Sequence, residues 1–355
     1  MDYRTFTLTA IFLCFKIYSS SSSSLVDKTS PLSDGLAKAP MFDIVVAKDG
    51  TGNYTTIGEA LDTIPSYKTN RTVIYVRKGL YHEHVAIPSE KTRITLFGDG
   101  IDKTIIRDNR SVVDGWGTYD SATVAVRGEG FIARDLTIEN SSGPAKGQAV
   151  ALVSSSNHSA FYRCSFLGYQ DTLYVQSNAQ FYKECDIYGT VDVVFGDANA
   201  VFQSCTFYAR IPLQGQENVF TAQGRNSTTS RGGISIIGSK FTAAPELIPM
   251  KHLIKTYFGR PWQKYSRTIV MNSYIDDVVD PRGWLEMNGD FALSTLYYRE
   301  YMNTGPSSDT SNRVRWPGYG LINSSTEAQQ FTVATFIAGL EWLPETAIPF
   351  FRGLL

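Results

Sequence analysis

The chain has 355 residues and a formal net charge of -1, because 33 Lys and Arg side chains nearly balance 34 Asp and Glu side chains. This balance excludes the broad basic field that a nucleic-acid-binding protein needs. Charged residues make up only 19% of the chain and aromatic residues 13%, so enough apolar surface is present to build a core, and extensive disorder is excluded. Such a composition is typical of an all-β protein with stacked aromatic side chains.

The N-terminal segment resembles a secretory signal peptide, because Arg4 precedes an apolar run and a serine-rich stretch follows that run. We expect residues 1–24 to be the signal peptide, residues 25–41 a linker and residues 42–355 one folded domain. A frayed apolar tail is the alternative interpretation of the first segment. The run is too short for a membrane-spanning helix, which needs about 20 residues, so we expect a secreted, extracellular protein without a membrane partner.

Secretion would leave three cysteines, Cys164, Cys185 and Cys205, since Cys14 lies within the signal segment. An odd number in an oxidising compartment predicts one disulfide and one free thiol. No Cys-x-x-Cys pair or Cys/His cluster is present, so no zinc site is expected. Seven N-x-S/T sequons permit glycosylation: Asn53, Asn70, Asn109, Asn140, Asn157, Asn226 and Asn323.

The predicted secondary structure begins with a strand over residues 42–47, a short helix over residues 54–64 and a strand over residues 72–76. From there the chain shows short strands and turns. A helix-like run from Ser325 to Leu340 breaks this pattern near the C-terminus. We expect that run to cover an open end of a stacked β architecture.

A repeat of about 21 residues runs through the middle of the chain. Phe161, Phe181 and Phe202 lie 20 and 21 residues apart, and each stands a few residues before a cysteine. This period predicts a parallel β-helix whose coils stack about 4.8 Å apart, with the three phenylalanines as an internal ladder. A β-sandwich is the alternative, but residues 131–241 contain no Asn-Gly or Asp-Gly hairpin signal.

Stacked coils also make a disulfide plausible in geometry. A separation of about 4.8 Å lies inside the usual range of Cα distances across a disulfide, roughly 4.4 to 6.8 Å. On this reasoning Cys185 can pair with Cys205 or with Cys164.

The same period places polar side chains above one another. Asp171 and Asp192 are 21 residues apart, and Gln148 and Gln170 are 22 apart. Two carboxyl groups one coil apart in a partly apolar cleft do not both ionise easily, so one keeps its proton. That supplies an acid beside a nucleophile or base, and neighbouring amides can donate to an oxyanion. For a single Asp a turn-forming role is the alternative, but the coincidence of four residues favours a catalytic group.

Seven short motifs occur along the chain in a fixed order: Gly79–Glu83, Gln148–Leu152, Gln170–Leu173, Asp192–Gly196, Thr221–Arg225, Gly259–Trp262 and Arg315–Tyr319. From Phe42 to Leu355 the chain therefore resembles the pectin methylesterases, or pectinesterases. The resemblance implies a right-handed, single-stranded parallel β-helix with short helical caps at its ends. It also implies a carboxylic ester hydrolase that removes methyl groups from the C6 esters of pectin and releases methanol in the plant cell wall.

The resemblance assigns a role to each candidate residue. It implies that Asp192 is the nucleophile, Asp171 the general acid/base and Gln170 the oxyanion stabiliser. The implied substrate-binding positions are Thr118, Gln148, Arg260 and Trp262. A core tryptophan after a proline turn is the alternative for Trp262. The resemblance further implies a Cys185–Cys205 disulfide, no cofactor, no metal, a monomer, and a proteinaceous pectinesterase inhibitor as a partner besides pectin.

Some residues depart from the family pattern. Val193 and Val194 stand where Phe-Ile is common, Asp197 stands where Asn is common, and Phe258 replaces a common Leu. Asp197 adds a negative charge near the site and is expected to alter its pH preference. Residues 1–41 are too few for an inhibitory pro-domain, so no internal inhibitor is expected. A polygalacturonase, a pectate lyase and an inactive pectin-binding protein are the alternatives, but the adjacent glutamines and Arg-Pro-Trp favour ester hydrolysis.

Overall fold

The computed structural model describes residues 41–355, so the predicted signal peptide and all of the predicted linker except Met41 lie outside the described residues. Within this range the chain forms short strands joined by turns. The first twelve strands are β1 (Ile44–Val46), β2 (Thr72–Val76), β3 (Gly79–His82), β4 (Val85–Ile87), β5 (Ile94–Gly98), β6 (Thr104–Asp108), β7 (Val124–Val126), β8 (Ile132–Asn140), β9 (Leu152–Ser154), β10 (Ser159–Leu167), β11 (Leu173–Val175) and β12 (Ala179–Lys183). The remaining strands are β13 (Asp186–Gly189), β14 (Val194–Gly196), β15 (Asn199–Gln203), β16 (Thr206–Ala209), β17 (Asn218–Gln223), β18 (Gly233–Ile237), β19 (Lys240–Ala243), β20 (Thr256–Gly259), β21 (Arg267–Met271), β22 (Tyr274–Ile275), β23 (Tyr297–Tyr301) and β24 (Tyr319–Leu321).

The strands stack in parallel into three columns, which together form a parallel β-helix and confirm the predicted fold. Column A contains β1, β2, β5, β8, β10, β12, β15, β18, β21, β23 and β24. Column B contains β3, β6, β13, β16, β19 and β22, together with the second halves of the long strands β8 and β10. Column C contains β4, β7, β9, β11, β14, β17 and β20.

The internal aromatic ladder differs from the predicted one at one rung. Phe161 stacks on Tyr182 with ring centroids 4.7 Å apart, and Tyr182 stacks on Phe202 at 4.4 Å. Phe181 pairs in register with Ala160, so its side chain lies on the other face of the sheet, where it packs against Phe350. The prediction for Phe181 was wrong because its segment has one extra residue before the cysteine, and a one-residue slip moves every side chain to the opposite face.

A column of left-handed residues forms the bend between columns A and B. Seven equivalent residues in successive coils have φ between +48° and +57°: Asp135, Arg163, Glu184, Ser204, Gly238, Asn272 and Met302. Only one of them is glycine, although other residues rarely adopt this conformation. The neighbouring coils therefore impose the bend through their shared register.

The three cysteines follow this bend in adjacent coils, because Ser165, Asp186 and Thr206, the residues after them, are register partners. Cys164, Cys185 and Cys205 are fully or almost fully buried, and the structure holds them as free thiols. The Cys185–Cys205 disulfide implied by the resemblance is therefore not formed in this structure. The stacking that either pairing requires is present, and the pairing itself stays a prediction.

Helices cover two parts of the stack. Helix α1 (Ile57–Asp62) is shorter than predicted because Thr56 is extended and caps it, its hydroxyl accepting the Glu59 N–H at 3.2 Å. Buried α1 side chains join the core of the first coils. Near the C-terminus the predicted helical run is divided into three short helices, α2 (Ser325–Gln329), α3 (Val333–Phe336) and α4 (Gly339–Trp342). These pack on the outer face of column A, along the strands from β8 to β21. The expectation that this run covers an open end of the stack was therefore wrong, because its apolar side chains meet the outward-facing apolar side chains of column A.

No helix among residues 41–355 combines the length and the apolar character that crossing a bilayer requires.

Candidate active site

Asp171 and Asp192 occupy equivalent places in adjacent coils, each just before a strand of column C. Leu173 and Val194, two residues further on, are register partners, and the Asp171 N–H donates to the carbonyl of Val191 at 3.0 Å. Both aspartates are left-handed, with φ of +64° and +51°. As at the bend between columns A and B, the neighbouring coils hold these residues in a conformation that non-glycine residues rarely adopt. The predicted stacking of the two aspartates is thus present.

Arg260 holds one of the two carboxylates. Its Nε donates to Asp192 Oδ1 at 2.7 Å and its Nη2 to Asp192 Oδ2 at 2.8 Å, so the ion pair is bidentate. Arg260 follows β20, two coils beyond Asp192, and its side chain spans the coil of β17. Burial opposes the charge of Arg260, but the Asp192 carboxylate outweighs it and raises the pKa of the guanidinium. The guanidinium therefore keeps its positive charge beside the Asp192 carboxyl group.

Asp171 has the opposite environment. It is only 7% exposed, and its carboxyl group has no hydrogen-bond partner among the described residues. Burial raises the pKa of Asp171 well above its usual value, the negative charge of Asp192 raises it further, and Arg260 opposes the shift. The two carboxyl groups thus lie in different environments, because Asp192 is paired with Arg260 and Asp171 is buried with a raised pKa.

Gln148 and Gln170 lie beside the carboxyl groups in adjacent coils. Their backbones form an isolated parallel bridge, and the Ala149 N–H donates to the Gln170 carbonyl at 3.2 Å. Both side chains are partly exposed, and neither amide has a hydrogen-bond partner within residues 41–355. The spacing thus brings Gln148 and Gln170 into adjacent coils, and their unengaged side-chain amides are available as donors.

Trp262 lies on the outer surface and is 39% exposed, so the alternative of a core tryptophan is wrong. Its ring meets Phe195 edge-on at 5.9 Å and Tyr174 at 6.4 Å. A side chain at Gly224 would put a Cβ 2.7 Å from Trp262 Cε3, so the ring can lie there only because residue 224 is glycine.

Tyr174 and Phe195 were missed by the sequence reasoning. They stack face to face with centroids 4.3 Å apart, and Tyr119 packs against the same outer cluster. Each lies three residues after a site aspartate, Tyr174 after Asp171 and Phe195 after Asp192. The coil period could therefore have identified them as a stacked pair. With Trp262 they form an aromatic surface next to the carboxyl groups.

Thr118 is connected to the site through its loop. It lies between β6 and β7, and its carbonyl accepts the Ser121 hydroxyl at 2.8 Å. Among the described residues Thr118 has no hydrogen bond to the carboxyl groups or to Arg260. The loop itself contacts the site, because the Val112 N–H donates to the Gln148 carbonyl at 3.0 Å.

The residues that depart from the family pattern do not contribute side-chain hydrogen bonds to the ion pair. Val193 and Val194 are fully buried in the main core. The Asp197 carboxylate accepts from Gln223 Nε2 at 3.2 Å and from the Ser230 hydroxyl at 3.0 Å. The Asp197 carboxylate is thus bonded to Gln223 and Ser230, and it has no hydrogen bond to the Asp192–Arg260 pair.

The described residues contain no cluster of three or more His, Cys, Asp or Glu side chains placed to hold a metal ion. The side chains present at the site are a buried carboxyl group with a raised pKa, a second carboxyl group paired with Arg260, two amides and an aromatic surface. This set suits attack on a carbonyl carbon, with proton transfer to the leaving group.

Comparison with known proteins agrees with this geometry. The family model described as Pectinesterase matches residues 43–340. The chain is 54% identical over 322 residues to "Probable pectinesterase/pectinesterase inhibitor 39" of Arabidopsis thaliana, a match that covers 90% of this chain and 60% of that protein. The chain thus spans about 60% of the length of this curated relative.

Solved structures give the same result. The pectin methylesterase from carrot has a TM-score of 0.88 at 49% identity, over 90% of this chain and 100% of the carrot chain. The pectin methylesterase from Aspergillus niger has a TM-score of 0.75 at 33% identity, over 88% of this chain and 98% of the fungal chain.

Proposed function

Since this chain belongs to the pectinesterase family, we propose that it hydrolyses the C6 methyl esters of pectin (methyl-esterified homogalacturonan) and releases methanol. The observation that carries the proposal is the division of labour between the two carboxyl groups. Asp192 accepts two hydrogen bonds from the Arg260 guanidinium, and Asp171 is buried with a raised pKa. A nucleophile and a proton donor therefore stand side by side.

The first half of the proposed reaction forms an acyl-enzyme. An Asp192 carboxylate oxygen attacks the ester carbonyl carbon, and the carbonyl electrons move to its oxygen. The side-chain amides of Gln170 and Gln148 donate to that oxyanion. When the tetrahedral intermediate collapses, the bond to the methoxy oxygen breaks and Asp171 gives its proton to the departing oxygen, so methanol leaves. Asp192 is then joined to the galacturonate carbonyl as an anhydride.

The second half of the reaction restores the enzyme. Asp171 is now a carboxylate and takes a proton from a water molecule, whose oxygen attacks the anhydride carbonyl. Collapse of this second intermediate releases Asp192 as a carboxylate and leaves a free galacturonic acid group. Asp171 is again protonated, so both groups return to their starting states and the atoms balance.

The aromatic surface supplies the proposed sugar contacts. Trp262 and the partly exposed Tyr174 offer ring surfaces for the pyranose rings of the polymer, and the buried Phe195 packs against both of them. Thr118 lies in the loop between β6 and β7, and Val112 of that loop donates its N–H to the Gln148 carbonyl. This hydrogen bond keeps the loop next to Gln148. We assign Thr118, Gln148, Arg260 and Trp262 to substrate binding, with Arg260 acting mainly through Asp192.

The test is methanol release from highly esterified pectin by the wild type, Asp171→Ala and Asp192→Ala. We expect methanol from the wild type without chain shortening, and loss of turnover in Asp192→Ala with pectin binding retained. New reducing ends in place of methanol would indicate a glycosidase or lyase. Undiminished methanol release by Asp192→Ala would remove this residue from its role, and binding by the wild type without any turnover would indicate an inactive pectin-binding protein.

The organisation of the chain belongs to the same proposal. We assign residues 1–24 to a secretory signal, 25–41 to a linker and 42–355 to the catalytic unit, acting in the cell wall as a monomer. N-terminal sequencing of secreted protein and size-exclusion chromatography test these points. A thiol titration of the secreted protein tests the Cys185–Cys205 pairing, which leaves one reactive thiol, Cys164, after denaturation.

A further inference from the structure

A buried hydroxyl connects the two coils that carry the aspartates. Thr172 follows Asp171 and is fully buried. Its hydroxyl lies 2.8 Å from the carbonyl oxygen of Tyr188, in the coil of Asp192, and 3.3 Å from the carbonyl oxygen of Tyr169, in its own coil. One side chain thus bridges the backbones of both coils close to both carboxyl groups.

Two glycines provide the space for this hydroxyl. A Cβ at Gly168 would lie 2.6 Å from Thr172 Oγ1, and a Cβ at Gly189 would lie 2.8 Å from the same atom. Both distances are far below a normal contact. The backbones of the two coils therefore approach Thr172 to a fixed distance, which any larger residue at either position would change.

A second buried threonine repeats the arrangement on the other side of Asp192. Thr221 lies in β17, between the coil of Asp192 and the coil of Arg260, and its hydroxyl donates to the Phe258 carbonyl at 2.8 Å. Its carbonyl accepts the Arg260 N–H at 2.9 Å. A Cβ at Gly259 would lie 2.2 Å from Thr221 Oγ1, so a glycine again makes the close approach possible.

We propose that Thr172 and Thr221 are positioning residues whose hydroxyls fix the spacing between the coils of Asp171, Asp192 and Arg260. This inference rests on the ester-hydrolase function proposed above. The charges that face Asp171 are Asp192 and Arg260, and the buried Tyr298 hydroxyl lies behind that pair, bonded to Ser266 at 2.9 Å. None of these groups sits on the same coil as Asp171, so the separation of the coils decides how strongly each acts on it.

The test removes each hydroxyl at nearly constant volume with Thr172→Val and Thr221→Val, and keeps it with Thr172→Ser and Thr221→Ser. The matched control is Thr104→Val. Thr104 is also fully buried, and its hydroxyl donates to the Val76 carbonyl at 3.0 Å, but it lies in column B, in the first coils of the stack. Each valine variant loses a buried hydroxyl-to-carbonyl bond, and Thr104→Val also removes the acceptor of the Asp99 N–H at 3.0 Å. A purely structural role therefore predicts an effect of Thr104→Val at least as large as that of the other two.

The first readout does not depend on activity. Carbon-13 NMR follows the carboxyl titration of Asp171, with the resonance assigned by Asp171→Asn. We expect Thr172→Val to move this titration by about 0.5 pH units or more towards the ordinary value, because water and greater separation weaken both causes of the shift. We expect Thr172→Ser and Thr104→Val to titrate as the wild type does.

The second readout is methanol release. We expect Thr172→Val and Thr221→Val to lower kcat about tenfold or more while KM changes by less than about twofold, because misplaced reacting groups slow the chemical step. The serine variants should restore kcat. A Thr172→Val titration identical to the wild type, an equal shift in Thr104→Val, or no rescue by serine would each overturn the proposal.

The two proposals can fail separately. If Thr172→Val shifts the Asp171 titration but the wild type releases no methanol from pectin, the positioning role stands and the ester-hydrolase function is contradicted. If the wild type releases methanol but the Asp171 titration is the same in Thr172→Val, the ester-hydrolase function stands and the positioning role is contradicted. If Thr172→Val does not fold, as judged by circular dichroism, the kcat of Thr221→Val and its rescue by Thr221→Ser decide the question.

Discussion

Arg260 reaches across an entire coil to form a two-point ion pair with Asp192, with N···O distances of 2.7 and 2.8 Å. The pair is mostly buried, since the side chains are 23% and 14% exposed. A bidentate guanidinium fixes the carboxylate in orientation as well as in charge. The ion pair therefore fixes the orientation of the Asp192 carboxyl group. Because both of its oxygens accept hydrogen bonds from Arg260, their nucleophilicity is reduced.

The first prediction concerns this pair. Arg260→Lys keeps the positive charge but replaces two fixed hydrogen bonds with one mobile ammonium group. We expect kcat to fall about 10- to 100-fold, because Asp192 loses its orientation, with a smaller change in KM. Initial rates of methanol release at a series of pectin concentrations measure both constants. Arg282→Lys, in the exposed Arg282–Glu286 pair, is the control and should keep full activity.

The second prediction is a pH dependence of catalysis. The proposed reaction starts with Asp171 protonated, and burial together with Asp192 raises the pKa of Asp171. Activity should therefore decline as the pH rises through that raised pKa, since the acid is lost. The alkaline limb of the kcat/KM profile for methanol release measures this. In Asp171→Asn the residual activity should lack that limb, and an alkaline limb that persists unchanged would assign it to another group.

The third prediction is a pH dependence of stability. A carboxyl group whose folded pKa is raised contributes its full stability below its unfolded pKa, and that stability is lost as the pH rises through the folded pKa. For Asp171 the ordinary value is 3.8. We therefore expect Asp171→Asn to have a higher Tm than the wild type at neutral pH, because folding of the wild type must either protonate the Asp171 carboxylate or bury its charge, and an amide requires neither.

The difference in Tm should shrink as the pH falls and vanish below about pH 4, where Asp171 is protonated in both states. Thermal unfolding followed by circular dichroism from acid to neutral pH measures it. Asp49→Asn is the contrasting control, because hydrogen bonds from Thr51 lower the pKa of Asp49, so this variant should not gain stability at neutral pH. An Asp171→Asn protein that is less stable than the wild type at neutral pH would contradict the assignment.

The coil period alone was enough to stack Asp171 with Asp192, because parallel coils of nearly constant length bring equivalent residues together. It did not place Phe181, since a single extra residue shifts the register and no local signal marks where it is absorbed. The threonine bridges were also not predictable, because Thr172 and Thr221 resemble ordinary strand residues in the sequence.

Long-range ion pairs could not be predicted for another reason. Glu300 and Arg313 are 2% and 1% exposed and are joined at 2.8 Å, within the last coils of the stack. Their spacing in the sequence matches neither the period of a helix nor that of the coils. Glu and Arg side chains are also usually exposed, so the residue types alone predict a surface position for both. The Asp192–Arg260 pair has the same character, since 68 residues separate the partners, and only the family resemblance brought Arg260 to the site.

The fourth prediction concerns the support of Trp262. In Gly224→Ala the new Cβ would lie 2.7 Å from Trp262 Cε3, so the ring must move from the aromatic surface. We expect KM for pectin to rise several-fold with a smaller effect on kcat, because the contact is proposed to serve substrate binding. Steady-state kinetics and tryptophan fluorescence detect the two effects. Gly58→Ala, whose Cβ would meet nothing closer than 3.8 Å, is the control and should leave both unchanged.

The fifth prediction concerns Asn140, one of the seven sequon asparagines. Its side-chain amide nitrogen donates to the carbonyl oxygens of Arg110 at 2.8 Å, Ser121 at 3.1 Å and Val150 at 3.1 Å, and the residue is only 2% exposed. A glycan on that nitrogen would displace these bonds. We therefore expect mass spectrometry of the secreted protein to find Asn140 unmodified, whereas the exposed Asn226 remains accessible.

The same three bonds connect both ends of the loop that carries Thr118 to the strand next to the site. Asn140→Ala would leave the Arg110 and Ser121 carbonyl oxygens without this donor, while the Val150 carbonyl keeps the Thr123 N–H at 3.0 Å. We therefore expect a loss of about 2–3 kcal/mol in the free energy of unfolding. The loosened loop should also raise KM for pectin, because Val112 in that loop contacts Gln148. Asn226→Ala, measured by the same denaturant titration and kinetics, should change neither quantity. Glycan occupancy at Asn140, or an Asn140→Ala protein as stable as the wild type, would mean that this amide does not hold the loop.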